Sequence, residues 1–356
     1  MRSKRRVGVR VTLALTALLA VIATGCGDSD DSSSSSSSKT QTVDVGNGTI
    51  EVDSAPRSVA MFVAGSAAGY TFTAALEDGA KRAAEQHGID LKIYEANFDA
   101  AAQYSQIQSA LTSGRYDGLV IQPASAQSCR LVREAALEQD LLVSVVGATL
   151  CGKDDQTGDR LWEPGTLTFV GGQYGVPGFT AFAEGIVEAN PGPQKAIQVI
   201  GPKEYGVTKG WFKAVDPVFA ANPEFEIVAT VYTDYTTPDA FRKTQDALQG
   251  NPDAGIVISQ YVDLTRGVVR AAKALGRDVK IYDFGASAES VELIEEGTVL
   301  ATFPTYPLSM GSATIDAIVS AARGDSVPRF IEKDGNPDAI TTVLDKSAID
   351  SFEPQY

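Results

Sequence analysis

From residue 58 to residue 324, short apolar runs alternate with stretches of helical periodicity, and nothing else in the chain constrains its fold as strongly. SVAMFVAG (58–65) is a β-branched run bounded by Gly, and TAALEDGAKRAAEQHG (73–88) spaces its apolar residues for one helix face and stops at Gly. IDLKIYEA (89–96), YDGLVIQPA (116–124) and LLVSVVGA (141–148) read as further strands, separated by helices over 100–114 and 129–140. LCGKDDQTGDRLWEPGTL (150–167) breaks the rhythm and reads as a connector or insertion. The alternation then restarts, with helices over 177–192, 210–223, 238–252, 264–276, 290–297 and 308–324. Strands fall over 196–201, 225–233, 254–260, 279–285 and 299–307. Strands alternating with helices predict parallel sheets covered on both faces. The expected fold class is therefore α/β, with two Rossmann-like halves of similar length.

The chain ahead of this pattern has a different character. Residues 1–10 hold Arg2, Lys4, Arg5, Arg6 and Arg10 and no acid, and VTLALTALLAVI (11–22) follows. That is the layout of a secretory signal, and it is shorter than the roughly 20 apolar residues that span a bilayer. Ala23-Thr24-Gly25-Cys26 resembles a bacterial lipobox, with Ala23 where a larger apolar residue is usual. Cys26 is then the lipidation site and the membrane partner is reached through an N-terminal lipid anchor; the alternative is an ordinary signal with an incidental cysteine. The Ser/Asp tract after Cys26 cannot bury enough apolar surface to order itself and reads as a tether. The expected divisions are a signal over 1–25 and a tether with an N-terminal extension over 26–56. The Arg5-Arg6 pair also fits twin-arginine export. Either route places the protein at the outer face of the cytoplasmic membrane.

Charge and composition exclude several functions. The formal charge is −15, and the five basic residues of the first ten leave 25 against 45 acidic residues from Cys26 onward. Phosphate contacts need clustered Lys and Arg, so nucleic acid is not an expected partner. Cys129 and Cys151 remain beyond Cys26, and outside the cytoplasm such a pair is a candidate disulfide. Two buried free thiols are the alternative. The single histidine, His87, sits at a predicted helix end, and one histidine excludes HExxH and histidine-based triads. GASAE (285–289) lacks the last Gly of a nucleophile elbow. GPKEYGVTK (201–209) has Val where a phosphate-loop Lys must stand, and VGGQYGVPG (170–178) does not match GxGxxG. The turns DVGNGTIEVD (44–53) and KDDQTGD (153–159) lack calcium-ligand spacing. No catalytic residue, metal or cofactor is expected.

What the pattern does place together is aromatic and polar residues at strand C-termini, where open α/β sheets bind ligands. Ser66, Tyr70 and Phe72 follow the first strand, and Gln122 ends the third. Tyr235 follows VATVYT, Gln260 and Tyr261 follow AGIVIS, and Thr305 and Tyr306 close a later strand. The same position recurs in both halves, which predicts a cleft lined from two sides.

Residues 57 to about 345 resemble the type I periplasmic binding proteins of the ribose/galactose-like branch. The resemblance rests on FVAGSAAGYTFTAALEDGAKRAAEQHG, QIQSALTSGRYDGLVIQPAS, ISQYVDLTRGVVRAAKALG and ESVELIEEGTVLATFPTYP. It implies two lobes joined by three crossovers, near 166–172, 304–308 and 330–340. The N-lobe would be 57–168 plus 307–332, and the C-lobe 169–305 plus 336–350. It puts the ring-stacking aromatic of the first lobe on Phe72 and an amide position on Tyr70. The opposite stacking aromatic falls on Tyr235, a cleft asparagine on Tyr261, a crossover glutamine on Thr305 and the clamping arginine near Lys209. Three family positions are lost: an Asp-Arg pair becomes Gly147 and Ala148, and an aspartate falls on Gly285, with Asp283 two residues away. A less hydroxylated, more aromatic ligand than ribose or galactose is implied.

The resemblance implies a monomeric solute-binding lipoprotein of an ABC importer, with the permease as its protein partner and a sugar-like small molecule as ligand. Ligand touching both lobes only when they close would draw the population to the closed state. A receptor for a sensor kinase or chemoreceptor is the alternative use. A secreted hydrolase would need a nucleophile the chain lacks, and a repressor would need a DNA-binding head where residues 1–56 offer a signal and a tether.

Overall fold

Turn chemistry at the ends of the apolar runs sets where the strands stop, and a computed structural model describes residues 40–356. A hairpin comes first: β1 (Thr40–Asp44) pairs antiparallel with β2 (Thr49–Asp53). Then β3 (Ser58–Val63), α1 (Thr71–His87), β4 (Asp90–Glu95), α2 (Ala100–Ser113), β5 (Gly118–Ile121), α3 (Cys129–Glu138), β6 (Leu142–Val146) and β7 (Thr168–Val170) follow. The second half runs α4 (Val176–Ala189), β8 (Gln194–Ile200), α5 (Gly206–Ala221), β9 (Phe225–Tyr232), α6 (Thr237–Gly250), β10 (Ile256–Ser259), α7 (Val262–Leu275), β11 (Lys280–Gly285), α8 (Ala288–Glu295) and β12 (Ala301–Pro304). The chain closes with α9 (Pro307–Arg323), β13 (Phe330–Ile331) and β14 (Leu344–Asp345).

These strands form two six-stranded sheets, ordered β13-β7-β6-β5-β3-β4 and β14-β12-β11-β10-β8-β9. Every pair in them is parallel except β12 with β14. The architecture is the expected two-lobed α/β fold. The chain passes between the lobes three times: after β7 through Gly171–Gly175, after β12 through Thr305 and Tyr306, and between β13 and β14. The strand expected over 299–307 is shorter for this reason: Thr305 and Tyr306 leave the sheet to make the second passage.

The three passages are tied by one carboxylate. Asp334, fully buried on the third, accepts from Gln173 N at 3.0 Å and Tyr174 N at 3.4 Å on the first and from Tyr306 N at 3.2 Å on the second. Burial pushes its pKa up to about 6, against the pull of those three N–H groups.

The extension expected as tether to residue 56 is folded over 40–53. Alternating β-branched residues bury Val45, Ile50 and Val52, and Glu51 N donates to Asp140 Oδ1 at 2.9 Å. The signal, Cys26 and the Ser-rich tract lie outside the described residues. The 150–167 connector is anchored by a disulfide between Cys129 and Cys151, whose Cα atoms are 4.9 Å apart. Among the described residues no helix is long and apolar enough to cross a membrane.

Helices α1 and α9 cross at reciprocal glycines. A Cβ on Gly311 would lie 2.0 Å from Leu76 O, and one on Gly79 would lie 1.9 Å from Leu308 O. Gly311→Ala gains about 1 kcal/mol of helix propensity but meets backbone that cannot yield, and overpacking of this kind costs roughly 1–3 kcal/mol. The clash therefore wins, and a lower thermal midpoint is expected; an unchanged or higher midpoint would show that the helices separate freely.

Candidate functional site

Between the lobes, the strand C-termini deliver a continuous cluster of aromatic rings. Tyr70, at the start of α1, stacks on Tyr235 with centroids 4.9 Å apart and on Phe72 with centroids 5.8 Å apart. Tyr261, just before α7, meets Tyr70 edge-on at 4.8 Å. Phe98, Tyr174 and Tyr205 complete the cluster, with Tyr174 on the first passage 4.7 Å from Phe72 and Tyr205 edge-on to Tyr235 at 6.2 Å. Tyr235 takes a left-handed φ of 64°, which turns its ring in from the loop after β9 toward Gly201.

Each buried hydroxyl has its own arrangement. The Tyr70 and Tyr174 hydroxyl oxygens are 3.1 Å apart, those of Tyr174 and Tyr235 are 3.5 Å apart, and Tyr235 OH donates to Gln260 Oε1 at 2.9 Å. Gln260 Oε1 also accepts from Gly201 N, while its Nε2 has no partner. Burial holds the Tyr70, Tyr205, Tyr235 and Tyr261 hydroxyls well above the usual tyrosine range, so all four are neutral donors and acceptors.

The expected site residues divide into groups. Tyr70, Phe72, Tyr235, Gln260 and Tyr261 converge in the cluster. The slot expected between Phe72 and Tyr235 is filled by Tyr70 itself. Thr305 lies at the edge, its hydroxyl 3.3 Å from that of Tyr356, whose ring is stacked on Tyr261. Gln122 is spent internally, accepting from Ala64 N at 3.1 Å. Ser66 points away, donating to Glu95 Oε2 at 2.8 Å. Tyr306 belongs to the hinge, where its OH accepts from Ile340 N at 2.7 Å. Asp283, on β11, is fully buried and bonded to Thr265, Ser290 and Thr302, so it does not take the place of a lost aspartate.

Lys209 lines what stays open. A cavity of about 360 Å³ lies beside the cluster, formed by Ser125, Ala148, Thr149 and Asp154 of one lobe and Lys203, Tyr205 and Lys209 of the other. Its volume falls within the roughly 300–1,000 Å³ of small-molecule sites. Lys209 Nζ donates to Gly152 O at 3.0 Å, and Asp263 Oδ2 accepts from Thr71 N at 3.0 Å, so the lobes also meet through polar bonds. Among the described residues no group of three His, Cys, Asp or Glu side chains could hold a metal ion.

Tyr174, Tyr205 and Asp154 were missed from sequence. Tyr174 and Tyr205 stand in VGGQYG and GPKEYG, two Gly-bounded stretches after strands; that position, and not the failed phosphate motif, was the usable signal. Asp154 carries no local signal, because a disulfide-closed connector delivers it.

The family model described as periplasmic binding protein domain matches residues 60–326. A ribose import binding protein of Haemophilus influenzae is 22% identical over 269 residues, covering 74% of this chain and 85% of that one. A xylitol-binding protein of Mycolicibacterium smegmatis is 22% identical over 277 residues, covering 72% and 71%. The crystal structure of an ABC transporter solute binding protein from Mycobacterium smegmatis with bound glycerol superposes with a TM-score of 0.70 at 25% identity, over 83% of this chain and 96% of that one. With two parallel sheets, three passages between them and a family match over most of its length, the chain belongs to the periplasmic binding protein family.

Proposed function

We propose that this protein is a lipid-anchored receptor that captures a sugar or polyol between its lobes and hands it to the permease of an ABC importer. The observation that carries this reading is the interlobe cavity of about 360 Å³, which both lobes line beside the aromatic cluster. Relatives named for ribose and xylitol binding support the same ligand class. Closure works through contacts available only when the lobes meet, such as Tyr70 on Tyr235 and Thr71 on Asp263. Ligand adds to them and shifts the population toward the closed form. Cys26 carries the lipid that holds the receptor at the membrane.

Ribose, xylitol, myo-inositol and glycerol form the first panel for a thermal-shift assay on the full chain. A ligand at 100 times its Kd adds about 2.7 kcal/mol, so at least one compound should raise the midpoint by several degrees. Tyr235→Ala removes the ring behind Tyr205 and should weaken that compound at least tenfold in calorimetric titration. A panel without any shift would sink the polyol reading; an unchanged affinity in Tyr235→Ala would remove the cluster from the site.

A further inference from the structure

The cavity holds polar groups that the protein leaves without partners. Thr149 Oγ1 and Tyr205 OH are both buried and hydrogen-bonded to nothing, one from each lobe, and both residues line the open volume. Asp154 lines it too and is 8% exposed. Its Oδ1 accepts from Thr149 N at 2.7 Å, while its Oδ2 has no hydrogen-bond donor among the described residues. Lys209, the nearest cation, is engaged instead with Gly152 O and, at 3.5 Å, with Asp155. Against the pull of burial, the Thr149 N–H and side chain already favour the charged form of this carboxylate, and Oδ2 keeps room for a further donor.

The placement of Asp154 is built from both lobes. The disulfide between Cys129 and Cys151 pins the start of the connector, just ahead of Asp154. The first turns of α5 make room: a Cβ on Gly206 would lie 2.4 Å from Asp154 Oδ2, and one on Gly210 would lie 2.6 Å from Asp154 O. Glycines at both positions let the loop of one lobe seat against the helix start of the other, so Asp154 reaches the cavity when the lobes are together.

We infer that Asp154 is the specificity-determining carboxylate of the cavity, accepting hydroxyl donors of a bound polyol alongside Thr149 and Tyr205. This rests on the solute-binding reading above. The neutral hydroxyls can donate or accept, whereas the carboxylate only accepts. A ligand with two adjacent hydroxyls satisfies Oδ2 with one and meets Thr149 or Tyr205 with the other.

The test is calorimetric titration of the oxidised full chain with ribose, xylitol, myo-inositol and glycerol. Asp154→Asn should weaken each probe that binds the wild type at least tenfold, without lowering the unfolding midpoint in the absence of probe. Asp154→Ser serves the same purpose if the amide variant does not fold. Asp155→Asn, one residue along the same loop, should stay within threefold of wild type. An Asp154→Asn affinity within twofold of wild type overturns the assignment. Equal losses in the Asp154 and Asp155 variants also overturn it, because they would make the loop a clamp and not a reader of ligand. A wild type that binds none of the four probes defeats the sugar-or-polyol reading, and this assignment with it, whereas a wild type that binds with Asp154→Asn unchanged defeats this assignment alone.

Discussion

Asp334→Ala is expected to lower the unfolding free energy by about 3 kcal/mol or more, because it strips the acceptor from three buried backbone N–H groups, each costing roughly 1–3 kcal/mol when left unpaired. Those groups belong to Gln173, Tyr174 and Tyr306, on two different passages between the lobes, so the loss falls on the hinge as a whole. Asp334→Asn keeps one acceptor oxygen and should lose less. The pH dependence separates the charge from the hydrogen bonds. The native carboxyl titrates at about 6 and not at the usual 3.8, which corresponds to about 3 kcal/mol of preference for the neutral form. A pKa raised by folding gives stability that is complete below about pH 4 and is lost as the pH climbs through about 6. The deficit of Asp334→Asn relative to wild type should therefore shrink between pH 4 and pH 7.5 in scanning calorimetry. A deficit that widens over that range would show that the wild-type carboxylate is comfortable when ionised.

The second large effect belongs to the disulfide. Replacing both Cys129 and Cys151 with serine opens a loop spanning 22 positions, which in the chain-entropy model costs about 3 kcal/mol. Reductant should lower the wild-type midpoint by a similar amount and leave the double variant unmoved. The loss reaches the interlobe cavity because the bridged connector carries Gly152 and Asp154, which touch Lys209 and the start of α5. A double variant as stable as wild type would mean that the connector is held by its other bonds, such as Lys153 and Arg133 to Glu163.

Local chemistry made most of the fold readable. Helix α1 stops where Gly88 stands, α2 starts where the Asp99 side chain accepts from Ala101 N and Ala102 N, and the buried parallel strands are unbroken apolar runs. The site was readable only at the level of position. Tyr70, Phe72, Tyr235, Gln260 and Tyr261 converge because a parallel sheet sends every strand C-terminus to one edge. Ser66 and Gln122 occupy the same edge but turn to Glu95 and to Ala64 N just after β3, and periodicity carries no information about such turns.

Sequence alone determined the α/β class and the order of the elements from β3 to α9 apart from β7, the short strand after the connector that no apolar run announced; it also named the sheet edge where a ligand is expected. These follow from hydrophobic period and from Gly, Asp and Pro punctuation, which act within a few residues. Only the tertiary structure decided that Tyr70 fills the slot between Phe72 and Tyr235, that Asp334 ties the three passages, and that a connector brings Asp154 to Tyr205. Each of those joins residues dozens to more than a hundred positions apart. Their geometry is set by how two separately folded sheets close on each other, and no local pattern along the chain encodes that closure.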